Sequence, residues 1–197
     1  MINSIKCFFA TGLVSAIMPM VAQELWEPQL KFTAGSLNVG QEDYVGQSKA
    51  YGFVLGGVYP LHKSGGAVIE GGYKLMPNST TGSGLTSVKD DSDIYFLSAS
   101  YRHELWRNGI YVQGGLRGTN AKTMRRIIYK GAGENGADAI EKYGADRETK
   151  FGWCLSAGYR LTDLWSFEVG ASTVGFKNVD GVAKNATIFE VALIIHR

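Results

Sequence analysis

Proline and cysteine are scarce in this chain, at 4 and 2 of 197 residues. Few prolines leave most of the backbone free to donate hydrogen bonds, as long strands require. Two cysteines, Cys7 and Cys154, cannot build the disulfide framework of a small secreted domain. Charge of one sign is not in surplus either: 20 basic side chains stand against 18 acidic ones, a formal net charge of +2. That balance leaves no electrostatic footprint for a nucleic-acid partner, and 45% hydrophobic residues exclude a disordered chain. Beyond the N-terminus no run approaches the roughly 20 apolar residues of a membrane-spanning helix. What the chain does have is glycine, 26 residues, and 12% aromatics, a composition that points to strands.

The first 22 residues read as a secretory signal. Positions 1 to 6 carry one cation, Lys6, positions 7 to 21 are apolar on every side, and Met20-Val21-Ala22 ends on a small residue before Gln23. The mature domain is then 23 to 197. Cleavage removes Cys7 and leaves Cys154 alone, so no internal disulfide is expected although export implies an oxidising compartment.

Period-two alternation recurs over 28 to 37, 49 to 60, 66 to 76, 93 to 104, 109 to 118, 149 to 161, 165 to 175 and 186 to 196. These eight segments are long for globular strands and suit a tilted bilayer crossing. The links 38 to 48, 77 to 92, 119 to 148 and 176 to 185 are longer than 61 to 65, 103 to 108 and 162 to 164. Such alternation sorts long loops to one end of an up-and-down sheet and tight turns to the other. A soluble lipocalin-like barrel shares the strand count, so the faces must separate the two.

A barrel in lipid is apolar outside and polar inside. Tyr51, Phe53, Leu55 and Tyr59 share one parity, as do Phe151, Trp153, Leu155 and Tyr159, and Phe189, Val191, Leu193 and Ile195. With the apolar parity outward in every strand, Lys31, Glu70, Lys74, Arg102, Arg117, Lys150, Arg160, Glu168 and Glu190 all fall on the inner parity. A Lys or Arg facing lipid at mid-depth would cost about 2–4 kcal/mol, which is a physical reason for the bias. Ile94, Phe96, Ile188 and Ile194 fall inside with the charges. Tyr59, Tyr101, Trp106, Tyr159 and Trp165 lie near the short turns, and Tyr51, Tyr73, Tyr95, Phe151 and Trp153 near the long loops, as two interfacial girdles would. The expected fold is an all-β, eight-stranded antiparallel up-and-down transmembrane β-barrel. Its carboxylates Glu70, Glu168 and Glu190 should pair inside with some of Lys74, Arg102, Arg117, Lys150 and Arg160, leaving no wide pore.

The stretch Gly158-Tyr159-Arg160-Leu161-Thr162-Asp163-Leu164-Trp165-Ser166-Phe167 resembles the penultimate hairpin of eight-stranded outer-membrane barrels of the OmpA-like and opacity-porin type. Ala99-Ser100-Tyr101-Arg102 and Gly109-Ile110-Tyr111-Val112 echo the hairpin before it. The resemblance covers the mature chain in layout and implies the bacterial outer membrane, with functions ranging over adhesins, structural anchors and small-solute channels. One departure is the C-terminus, Ile194-Ile195-His196-Arg197, where such barrels usually end on an aromatic.

Chemical motifs are thin. Gly131-Ala132-Gly133-Glu134-Asn135-Gly136 spells a dinucleotide fingerprint, but neither a long strand before it nor a helix of several turns after it is readable. The histidines, His62, His103 and His196, are scattered on the turn side, away from outer-leaflet substrate. No catalytic residue, metal or cofactor is assigned. Lys122, Arg125, Arg126 and Lys130, with Tyr129, form a basic cluster in the longest loop, where lipopolysaccharide phosphates or a host-surface or envelope partner could dock. The sequence thus favours an envelope-structural or surface-interaction, adhesin-like protein. A small-solute channel, an outer-membrane lipid-modifying enzyme and a periplasmic lipocalin-like barrel are the alternatives.

Overall fold

The computed structural model describes residues 26–38, 48–77, 81–105, 109–144, 147–177 and 183–197. The segment 1 to 22 and Trp106 lie outside them. In chain order the strands are β1 (Glu27–Asn38), β2 (Ser48–His62), β3 (Gly65–Pro77), β4 (Thr81–Ser83), β5 (Thr86–Glu104), β6 (Ile110–Tyr129), β7 (Ala139–Gly144), β8 (Glu148–Arg160), β9 (Trp165–Lys177) and β10 (Ala183–His196). The alternating segments form the eight long ones, while the short β4 and β7 lie in the connections.

Every pairing is antiparallel, and neighbours run β5-β3-β2-β1-β10-β9-β8-β6, with β5 also pairing β6. That last pairing joins the two ends of the row. The eight long strands therefore close into an up-and-down barrel with no free edge along the closing pair. The turn end carries the β2–β3, β5–β6 and β8–β9 connections. In the last of these, the N–H groups of Leu164 and Trp165 donate to Thr162 Oγ1 at 3.2 and 3.0 Å, so the threonine hydroxyl satisfies backbone that the tight turn leaves unpaired.

The faces follow the parity. Phe53, Leu55, Leu97, Leu116, Leu155 and Phe189 are exposed on the outside. Lys31, Glu70, Lys74, Arg102 and Arg117 are all at most 7% exposed, inside. A soluble protein would bury the first set and solvate the second, so this inversion is the signature of a wall made for lipid.

The interior departs from a uniformly polar one. Toward the loop end, Ala50, Met76, Ile94, Ala121, Val174, Ala186 and Ile188 pack into one apolar layer. The inward Ile94 and Ile188 belong to this layer, which borders the charges: Ile94 stands directly opposite Lys74.

The stretch 119 to 148, expected as a loop, is largely strand. β6 continues to Tyr129, opposite Thr86 of β5, and β7 returns alongside it from Ala139 to Gly144. The 77 to 92 link likewise contains β4 and the start of β5. Gly84, with φ +60, and Leu85 make the two-residue turn between β4 and β5, and Lys130 N–H donates to Leu85 C=O at 2.8 Å. The result is a four-stranded sheet, β4-β5-β6-β7, rising beyond the barrel. Period-two apolarity stops near Gly118 because above the lipid band neither face of the sheet is required to be apolar, although the backbone still gains by pairing.

Candidate functional site: the lumen network and the raised sheet

The centre of the lumen is a charge network. Lys31 on β1 reaches Glu70 on β3 at 2.5 Å and both carboxylate oxygens of Glu168 on β9 at 3.1 Å. Lys74 pairs with Glu190, and Arg117 Nη1 joins the same carboxylate at 3.4 Å while donating to Ser172 Oγ at 2.7 Å. Lys74 Nζ and Arg117 Cζ lie 5.0 and 4.3 Å from the centre of the Phe96 ring, so the inward phenylalanine accommodates two cations. Between Glu70, Glu168, Glu190, Gln113, Arg117 and the β8–β9 wall is a cavity of ≈ 20 Å³, room for about one water.

The partners match the expected set at Glu190 and depart from it at Glu70 and Glu168. Glu70 and Glu168 both take Lys31, while Glu190 takes Lys74 and Arg117. Arg102 meets neutral amides instead: its Nε and Nη2 donate to Gln113 Oε1 at 3.2 and 3.0 Å, and Nη2 to Gln29 Oε1 at 3.1 Å, with the guanidinium 4.2 Å over the Tyr111 ring. Lys150 donates to Asn185 Oδ1 at 3.1 Å. Arg160 sits at the turn-end rim against Glu27 at 3.1 Å, with half of the glutamate side chain in solvent. Parity places a side chain inside but does not set its height, and height selects the partner.

A serine–histidine contact arises that spacing could not reveal, because its members lie 30 residues apart: Ser166 Oγ is 2.6 Å from His196 Nε2. Its proton direction is fixed by the neighbours. Arg102 holds Gln29 Oε1, so the Gln29 Nε2 amide faces His196 Nδ1 at 3.3 Å and donates to it. The imidazole proton is then on Nε2 and is donated to Ser166. A histidine that donates to serine cannot take the serine proton, so this pair pins the C-terminal strand rather than preparing a nucleophile. A second histidine–serine spacing, His62-Lys63-Ser64, lies in the exposed β2–β3 turn. There Ser64 Oγ is 3.3 Å from His62 Nδ1, and His62 Nε2 contacts the Tyr101 hydroxyl. Among the described residues no three His, Cys, Asp or Glu side chains converge on a metal position.

The basic cluster is divided by the strand that carries it. Lys122 and Arg126 occupy one face of β6, and Arg125 and Tyr129 the other, while Lys130 begins the tip. Arg126 pairs with Asp91, and Lys122 stands directly opposite Asp93. Tyr129 and Tyr143 both donate to Glu141 Oε2, at 3.3 and 2.6 Å. For Tyr143 the hydrogen bond to Glu141 raises the phenol pKa above its ordinary value; for Tyr129 desolvation leads and the Glu141 charge adds. The glycine-rich motif occupies the tip between β6 and β7, where Gly131 N–H donates to Asp138 Oδ1 at 3.1 Å and one turn of 3-10 helix covers Glu134–Gly136. An antiparallel hairpin tip is a different setting from the strand-to-helix crossover a dinucleotide site needs.

This architecture is that of the eight-stranded outer-membrane β-barrels. Among solved structures, the Yersinia pestis attachment invasion locus protein Ail, in complex with the heparin analogue sucrose octasulfate, superposes with a TM-score of 0.50 at 9% identity, over 86% of this chain and 97% of that one. A major outer membrane protein from Thermus thermophilus gives a TM-score of 0.50 at 10% identity, over 86% and 99%. At such identities the likeness is one of fold. No protein-family model matches the chain, and no curated protein matches it in sequence.

Proposed function

We propose that this protein is exported to the bacterial outer membrane and acts there as a surface-interaction protein with an adhesin-like or envelope-structural role. The β4-β5-β6-β7 sheet is its contact element. The observation that carries this reading is that the described parts of two connections, 77 to 92 and 119 to 148, are built into one sheet whose outer strand among the described residues is β7. A loop kept only to join strands needs no such investment of hydrogen bonds. On its faces the sheet offers exposed Leu85, Ile140 and Tyr143 beside Arg126, Lys130 and Lys142. Apolar and aromatic anchors with cations suit an anionic partner surface, either lipopolysaccharide phosphates or a host or envelope polyanion. That Ail is seen with a heparin analogue supports testing a sulfated polysaccharide first.

Replacing 122 to 144 by a short Gly-Ser turn, with the barrel verified as folded, should abolish binding of whole cells to immobilised heparin or to purified lipopolysaccharide. If cell binding and envelope integrity both survive unchanged, the sheet is not the contact element. The channel reading has less support, because the charge network and the apolar layer fill successive levels of the lumen.

A further inference from the structure

Two of the three histidines, separate in the chain, are neighbours in the wall. The β2–β3 ladder shifts register between Pro60, opposite Gly66, and His62, opposite Gly65, so Leu61 is an extra residue on the β2 side. That bulge turns His62 onto the outer face, where uninterrupted alternation from Tyr59 would have set it inward. Gly65 is in turn opposite His103 of β5. His62, Gly65 and His103 therefore form one row across β2, β3 and β5, with the two histidine backbones about 9.5 Å apart and no side chain between them. The hydroxyl of Tyr101, next along the outer face of β5, occupies the space the glycine leaves, and a Cβ at Gly65 would collide with it.

Over Gly65 the three rings make a nearly equal-sided triangle. Their centres are 6.0 Å apart for His62 and Tyr101, and 6.4 Å apart for His62 and His103 and for Tyr101 and His103. All three residues are exposed. His62 turns Nε2 to the Tyr101 hydroxyl and receives the Ser64 N–H on Nδ1 at 3.3 Å. Among the described residues His103 has ring contacts but no side-chain hydrogen bond, and neither histidine forms a salt bridge. Two imidazoles and a phenol oxygen thus meet at the turn end with no carboxylate holding either ring.

We infer that His62, His103 and Tyr101 form a binding site for a divalent transition-metal cation, Cu²⁺ ahead of Zn²⁺, on the outer face of the turn end. Imidazole nitrogen suits both ions, and a given nitrogen–oxygen site holds Cu²⁺ more tightly than Zn²⁺. A cation 2.0–2.1 Å from an imidazole nitrogen stands about 3.2 Å from that ring's centre. The middle of the triangle is about 3.6 Å from each ring centre, so small rotations of exposed side chains close the site. Ser64 serves both states of His62: its N–H donates to Nδ1 in the free protein, and its Oγ, also 3.3 Å away, accepts from Nδ1–H when the metal takes Nε2. Binding moves the Tyr101 phenol proton to water. With two histidines rather than a closed set of four ligands, the remaining coordination positions are open to water, and the metal ties the β2–β3 turn to β5.

The test uses the full barrel, free of any added histidine tag, in phosphatidylcholine vesicles titrated with Cu²⁺. Calorimetry should show one saturable site per barrel. Its electron paramagnetic resonance spectrum should be split by two imidazole nitrogens, and a phenolate-to-copper absorption band should grow in step with binding. His62→Ala and His103→Ala should each raise the half-saturation concentration about tenfold or more and leave the splitting of a single nitrogen. Tyr101→Phe should abolish the absorption band and keep both nitrogens. No saturable binding by wild type, or equal titrations for wild type, His62→Ala and His103→Ala in barrels that keep their folded mobility on gels, would overturn the site. A Tyr101→Phe barrel that retains the band would overturn it as well.

Discussion

Lys31→Met is the sharpest perturbation of the lumen. The ammonium is 3% exposed as a residue and bridges two carboxylates from strands on opposite sides of β1 in the ring, Glu70 and Glu168. Removing it leaves two buried negative charges together. Among the described residues their remaining hydrogen bonds are Tyr111 OH to Glu168 at 3.2 Å and Ser98 OH to Glu70 at 3.5 Å, both neutral donors, with the Arg102 and Arg117 charges acting on Glu70 from farther away. Breaking a buried pair by deleting one partner typically costs about 3–5 kcal/mol, and two orphaned carboxylates put this site at the upper end. The whole triad replaced by neutral groups, Lys31→Met with Glu70→Gln and Glu168→Gln, should recover most of the loss, because desolvation of three charges is removed along with their attraction. The assay is reversible urea unfolding of the barrel in lipid vesicles, comparing midpoints and slopes for the single, double and triple variants. A single-variant loss below about 1 kcal/mol, or a triple variant as unstable as the single one, would refute the view that these charges are mutually compensating.

Three further outcomes follow from the site geometry. Arg126→Ala removes a pair whose arginine side chain is 39% exposed, so stability should change by no more than about 1 kcal/mol while binding of the raised sheet to an anionic surface falls; an unfolded barrel or unchanged binding would contradict this. Glu141→Gln should lower the titration of Tyr129 and Tyr143, read by phenolate absorbance. Because these phenol pKa values are raised on folding, their contribution is fully present below the ordinary tyrosine value and is lost as pH climbs through the folded one. The β6–β7 contact should therefore loosen only in alkali, and loosening near neutrality would show that Glu141 is not its anchor. A fluorophosphonate probe should leave Ser166 unlabelled in the folded barrel, since His196 donates to it; labelling that depends on His196 would reverse the proton assignment.

The amino-acid sequence by itself determined the wall. Alternation of apolar and polar residues is a local, period-two property of a strand between lipid and lumen, so strand positions, the facing of Phe53 or Leu155, and the inward setting of Glu70 and Lys74 can all be read along the chain. It also marked Ile94 and Ile188 as inward without showing that they form a layer. Tertiary structure decided whatever depends on height around the ring. The pairing of Lys31 with both Glu70 and Glu168, the neutral cradle of Arg102, and the meeting of Ser166 with His196 all follow from the stagger of neighbouring strands, which no single strand encodes. It decided as well that 119 to 129 continues as strand, because above the membrane the burial that imposes alternation is gone while backbone pairing persists. The end of the regular β8–β9 ladder was equally illegible: Gly152 and Thr173 are ordinary strand residues until the closure of the ring sets Thr173 across Gly152 and its hydroxyl against the Trp153 backbone.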